Sequence, residues 1–180
     1  ISSFQLETMH TFCPKVSAIL NITPDHLDRH KTMENYIDIK KSIAKNQGKD
    51  DYCVLNYEDA ILREFGKTLK CNVVYFSSEH ELQSGIYYKD NIIYIAKDGK
   101  AEEFCDVRET NLVGVHNYEN IMAAVAMTKS FGISEDIIKD AESRAGEEFV
   151  GIERNLRKIA RNRKALDEKL ERIKHTDKTL

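Results

Sequence analysis

Three polar clusters in this 180-residue chain carry residue types that could do chemistry. The first is Leu20-Asn21-Ile22-Thr23-Pro24-Asp25-His26-Leu27-Asp28-Arg29-His30, a turn with an imidazole between two carboxylates. It follows an apolar run, and the carboxyl end of a buried strand is where α/β proteins hold ligands and metals. The second is the pair Lys40 and Lys41. The third is Gly114-Val115-His116-Asn117-Tyr118-Glu119-Asn120, which opens an alanine-rich segment. Asn117 and Asn120 are spaced i, i+3, so a helix would set both amides on one face. An amide both donates and accepts, which suits a polar ligand, although an asparagine-capped helix without a ligand fits the same residues. Three such clusters at strand-to-helix junctions suggest an enzyme site rather than a plain binding module.

The elements that must position these groups read as α/β. Val16 to Ile22 is a buried strand, and Met33 to Asn46 is helical, with Ile37, Ile39, Ile43 and Ala44 on one side and Thr32 or Thr23 as cap. Gly48 to Asp51 is a turn, Tyr52 to Asn56 a second strand, Glu58 to Leu69 a short helix and Cys71 to Phe76 a third strand. This alternation favours a mostly parallel sheet with crossover helices. Gly85 to Ile95 then reads as a β-hairpin insert turning near Asp90-Asn91, with further extended chain over Ala101 to Asp106. A long helix from near His116 to Ser130 closes at Gly132, and Ser134 caps another running to about Ser143.

Residues 1–145 form one unit in this reading, and 146–180 a charged amphipathic helical extension of different character. Ile152, Leu156, Ile159, Leu166, Leu170 and Ile173 recur at spacings of four and three. Residues 151–180 hold ten Lys/Arg against five Asp/Glu. No aromatics interleave with them, so a solvated helix face is expected rather than a nucleic-acid site, with self-association through residues 152–173 as a possible use.

Hydrophobic residues at 41% can build a sizeable core. No apolar run reaches the roughly 20 residues that span a bilayer, and no signal-type leader is seen, so no membrane contact and a cytoplasmic setting are expected. The four cysteines, Cys13, Cys53, Cys71 and Cys105, form no CxxC pair. Cys53 and Cys71 read as core thiols rather than disulfide or zinc ligands. The chain opens Ile1-Ser2-Ser3-Phe4-Gln5, as though inside a larger domain.

Three stretches, in order, resemble the Mur ligases: Ile1-Ser2-Ser3-Phe4-Gln5-Leu6-Glu7-Thr8, Asn21 to His30, and Gly114 to Ala124. The resemblance covers roughly residues 1 to 140 and implies the family's central, P-loop-like ATP-binding domain. It implies an ADP-forming amide ligase in which ATP phosphorylates a carboxylate, an amine attacks the acyl phosphate, and phosphate leaves. The cofactors implied are ATP and Mg2+. The form of the first stretch points to UDP-N-acetylmuramoyl-L-alanine and D-glutamate as substrates, in peptidoglycan precursor synthesis.

By the same resemblance, His26 is a magnesium ligand, and Lys40 is the lysine that becomes carbamylated, turning a cation into an anionic oxygen donor. Both are then the catalytic candidates. Lys41 is the alternative to Lys40, and two solvated helix lysines the bland reading. Asp25 and Asp28 are expected as turn or cap groups. Asn117, Asn120 and His116 fall on the nucleotide side, and Ser2, Ser3 and Gln5 near the UDP-muramoyl substrate. The family's GxxGKT/S loop, its N-terminal domain and the HR motif of its C-terminal domain have no counterpart here. The expectation is therefore a piece of a ligase, inactive alone. The alternative is a non-catalytic α/β remnant or chimera acting through its C-terminal helix.

Overall fold

The computed structural model describes residues 1–110, 112 and 114–141. The expected extension over 146–180, its heptad spacing and the end of the Ser134 helix lie outside those residues. The described chain runs α1 (Ser3–Leu6), β1 (Val16–Ile19), α2 (Leu27–His30), α3 (Met33–Lys41), β2 (Tyr52–Asn56), α4 (Ala60–Gly66), β3 (Asn72–Ser77), β4 (Gly85–Lys89), β5 (Ile92–Lys97), β6 (Lys100–Asp106) and α5 (Val115–Phe131). Residues 135–141 are again helical.

The six strands form one sheet in sequential order. β1, β2 and β3 are parallel, with Ile19 beside Leu55 and Leu55 beside Tyr75. β4 joins parallel to only the end of β3 and then turns back through antiparallel β5 and β6. The expected hairpin is thus not an insert beside the sheet but its continuation, a three-stranded meander. β4 fits there because Gly85, at φ +136°, passes where a Cβ would lie 2.4 Å from the Tyr75 carbonyl oxygen. Only glycine tolerates such an approach at that φ.

Parallel strands covered on both sides are apolar on both faces. On one face Val54, Phe76, Ile86 and Ile93 pack against Met122, Val125 and Ala126 of α5. On the other, Ile19, Cys53 and Leu55 pack against Leu6 of α1, Tyr36 of α3 and Leu62 of α4. Leu55, Leu62, Phe76, Ile93 and Met122 are fully buried, each contributing about 1.5–3 kcal/mol. Cys53 and Cys71 are buried free thiols in this core, and all four cysteines are free. Among the described residues no helix is long and apolar enough to cross a membrane.

Three expected boundaries shift. β1 stops at Ile19 because the chain then leaves the sheet, and the N–H of Ile22 donates to the Asp59 carboxylate (2.8 Å) instead of a strand. The helix from Met33, capped by Thr32 rather than Thr23, gives way after Lys41 to a 3-10 turn over Ser42–Ala44. α4 starts only at Ala60, because the Asp59 carboxylate caps the N–H groups of Ile61 and Leu62.

Candidate active site

The carboxyl ends of β1, β2 and β3 lie at one end of the sheet, and the chemistry-bearing residues gather there. After Ile19 the backbone turns through Asn21 and Asp25 into α2. His26 takes the left-handed conformation (φ 51°, ψ 33°), costly for a residue with a Cβ. The Asp25 carboxylate accepts the His26 backbone N–H at 2.9 Å and lies 3.3 Å from His26 Nε2. The carbonyl of His26 accepts the N–H groups of Arg29 and His30, both at 3.0 Å. The imidazole is therefore carried outward on a backbone fixed from both sides. Asp28 is exposed, and its backbone carbonyl accepts Lys31 Nζ at 2.8 Å.

α1 lies against this turn. Ser2 and Gln5 form a reciprocal cap: Ser2 Oγ accepts the Gln5 N–H (3.3 Å), and Gln5 Oε1 accepts the Ser2 N–H (2.8 Å). Such a cap satisfies two of the donors left over at a helix start. Ser3 Oγ instead sits 3.0 Å from Nε2 of His30. Glu7 takes both Nε and Nη2 of Arg29, the latter at 2.6 Å, and the Arg29 hydrogen bonds hold its carboxyl below the usual range.

Lys40 and Lys41 part company at the end of α3. Lys40 Nζ donates to the Asn21 carbonyl at 2.9 Å, whereas Lys41 Nζ sits 5.3 Å from the Phe65 ring centroid on α4. Lys40, Asn21, Ser3 and Ile1 line a cleft of about 300 Å³ over the end of β1. A larger groove of about 840 Å³ runs past Tyr52, Val73, Ala126 and Lys129, at the amino ends of the strands. It lies away from these groups.

α5 approaches the same end on the opposite face. Ser78, just past β3, donates to Glu119 at 2.7 Å and ties the first turns of α5 to the strand end. Asn117 is half-buried, His116 and Asn120 exposed. Nearby, Glu58 accepts the Ser77 hydroxyl, the Glu79 N–H (3.2 Å) and His80 Nδ1 (2.9 Å). Burial pushes the Glu58 carboxyl up, but these hydrogen bonds outweigh it and leave it below the usual range.

The structure thus places Ser3, the His26 turn and Lys40 at the end of β1, and Asn117 with α5 at the end of β3. Sequence reasoning gave no role to Glu7, Arg29, His30 or Tyr36, or to the Glu58–His80 pair. The spacing of Ser2 and Gln5 is a capping-box signature, which announces their mutual bonds. Nothing in the sequence pairs Glu7 with residues 22 positions away.

Among the described residues no three His, Cys, Asp or Glu side chains cluster as a metal site. Mg2+, however, keeps several waters and takes one or two protein oxygens plus phosphate oxygens. The carboxylate of Asp25 offers the oxygen that such a partial donor set calls for, and the imidazole of His26 beside it adds a nitrogen, a less usual donor for a hard cation.

Residues 1–128 match the profile of the Mur ligase middle domain. Over 163 residues the chain is 46% identical to the UDP-N-acetylmuramoylalanine–D-glutamate ligase of Lachnoclostridium phytofermentans, an overlap of 91% of this chain and 35% of that protein. The ligase of the same name from Lachnospira eligens is 54% identical over 138 residues, 77% of this chain and 31% of that one. The chain spans about a third of the length of these relatives. The fold is also that of MurF from Acinetobacter baumannii (TM-score 0.55, 19% identity, 73% of this chain and 29% of that one). The profile match and the shared identity place the chain in the Mur ligase family, through its middle domain.

Proposed function

We propose that this chain supplies the central part of an ATP-dependent, ADP-forming ligase that joins D-glutamate to UDP-N-acetylmuramoyl-L-alanine in the cytoplasm. Residues 1–145 are the ligase unit in this reading. The observation that carries it is the meeting of Lys40 with the His26 turn, through the 2.9 Å bond from Lys40 Nζ to Asn21.

The chemistry of each group follows from its setting. His26 and Asp25 present a nitrogen and a carboxylate oxygen side by side, the donors that would hold Mg2+. When bound, the ion offsets the negative charge that develops on phosphate oxygens. Lys40 as an ammonium repels a cation. Addition of CO2 to its neutral amine forms an N–C bond, releases a proton and leaves an anionic carbamate at the same place. Ser3 borders the cleft where the muramoyl end of the substrate is seated, on a helix held by Ser2 and Gln5. Asn117 and Asn120 offer amides to the purine and ribose, beside His116.

The test is a chimera of the Lachnospira eligens ligase in which residues 1–128 of this chain replace its own middle-domain segment. D-Glutamate-dependent ADP release is expected. His26→Ala or Lys40→Ala should lower it about a hundred-fold or more, as expected for groups that stabilise developing charge, while Lys41→Ala retains it. Full activity in both the His26 and Lys40 variants would overturn the assignment. The 180-residue chain alone is expected to give no turnover.

A further inference from the structure

A line of rings runs beneath the candidate site. The His26 imidazole stands 4.8 Å from the Phe4 ring, centroid to centroid. Phe4 in turn stands 5.7 Å from His30, and His30 5.5 Å from Tyr36. Lys40 Nζ lies 5.3 Å from the Tyr36 centroid. Every step is within the range at which rings, or a cation and a ring, attract each other. The two groups assigned to the metal side of the site thus sit at opposite ends of one row of tilted ring contacts, with His30 in the middle.

His30 is built to stay in place. Its side chain has no exposure, and Tyr36 is 4% exposed. Nε2 is 3.0 Å from Ser3 Oγ. Nδ1 is 3.2 Å from Glu7 Oε1, at ion-pair range but off the line of a hydrogen bond, so this buried nitrogen has no true hydrogen-bond partner. A buried polar ring so placed is a poor choice for packing alone. The Arg29 guanidinium closes over Phe4 at 4.8 Å, holding that ring against its neighbours in the row.

We propose that His30 is a positioning residue: packed between the tilted rings of Phe4 and Tyr36, it sets the placement of His26 relative to Lys40. This rests on the site assignment above. The coupling runs through the rings, so an aromatic replacement preserves it and a small one does not.

The experiment uses the 180-residue chain with 13C-labelled histidine rings. Ring order at His26 is read from 13C relaxation without metal, and Mn2+ alone is then titrated while broadening at His26 is followed. In His30→Ala the His26 ring should loosen and Mn2+ should bind about ten-fold more weakly, the loss typical when the support of a metal ligand is removed. His30→Phe should restore wild-type ring order and affinity, a rescue that lost hydrogen bonds could not give. Phe4→Leu, which removes a ring from the exposed side, should loosen His26 as well and serves if the alanine variant does not fold. Unchanged His26 order in a folded His30→Ala variant (or in Phe4→Leu where that variant does not fold), or no rescue by phenylalanine, overturns the proposal. Wild-type chain that binds no Mn2+ at His26, yet loses ring order in the variants, sinks the metal assignment and leaves the positioning role standing.

Discussion

The parallel half of the sheet and the meander are built by different means. Around β1–β3 the ties reach far along the chain: Lys40 to Asn21, Ile22 to Asp59, Glu7 to Arg29, Ser78 to Glu119. In the meander the tight turns are local, and the N–H groups of Asp98 and Gly99 reach back only to Ser84 Oγ (3.0 Å) and the Gln83 carbonyl (2.8 Å). Asp90-Asn91 and Asp98-Gly99 make two-residue turns with positive φ, each joining neighbouring strands. The outer strand β6 presents exposed Lys100, Glu102 and Glu103, charges that discourage edge pairing. The difference teaches where function can reside. A site made of long-range ties exists only when the whole parallel half is folded, while the tight turns of the meander are set by the residues that make them.

The strongest way to break the parallel half is Leu55→Ala. Leu55 is fully buried in β2, between Ile19 and Tyr75 of the flanking strands. The cavity and lost transfer energy should cost about 2–5 kcal/mol. Urea unfolding measures the loss, and the His26 ring signals should disappear in the same transition as the core. A two-step transition with the site persisting would show that the ties are independent of the core.

Next in size is an alkaline effect in the same core. Burial pushes the Cys53 thiol up to about 11, against an ordinary value of 9.0. Below pH 9 the thiol is neutral in both states and its contribution is complete. Between pH 9 and 11 the unfolded thiol ionises and the folded one does not, so stability falls by about 2–3 kcal/mol over that window. Chemical unfolding at pH 8.5 and 11, compared with Cys53→Ala, isolates the slope; an equal slope in the variant would deny that Cys53 causes it.

The same contrast explains what the sequence revealed. The strands around Tyr52 to Asn56 and the turn at Asp90-Asn91 were legible because local patterns cause them: an apolar run for a strand covered on both faces, and residues that tolerate positive φ for a tight turn. The end of β1 was not. Ile22 is apolar and buried, so it reads as strand, but its N–H is claimed by Asp59 from 37 residues away. Likewise His30 stood in plain view within the His26 motif, yet its role depends on Ser3, Phe4 and Tyr36 meeting around it. The metal-side roles of His26 and Lys40 came from resemblance, which already preferred Lys40 to Lys41; the structure adds that Lys40 Nζ donates to the Asn21 carbonyl.

The smallest effect is expected in the meander. Gly99 holds φ +79° at the β5–β6 turn, and a Cβ there would lie 3.0 Å from Gln83 Oε1, the end of a flexible side chain. Gly99→Ala should therefore cost about 1–2 kcal/mol, the backbone penalty alone, since the neighbour can move aside. Thermal unfolding reads the cost, and His26 ring order and Mn2+ broadening should match wild type. The backbone strain sits in a turn that bonds to the β3–β4 loop, Gly99 N–H to the Gln83 carbonyl (2.8 Å) and Asp98 N–H to Ser84 Oγ (3.0 Å), at the amino ends of the strands, so it has no route to Asn21 or Lys40 short of unfolding the sheet. A loosened His26 in this variant, at a temperature where the chain is still folded, would mean that the meander supports the carboxyl end of β1. The two halves would then be one unit, and the separation argued from the reach of their ties would fail.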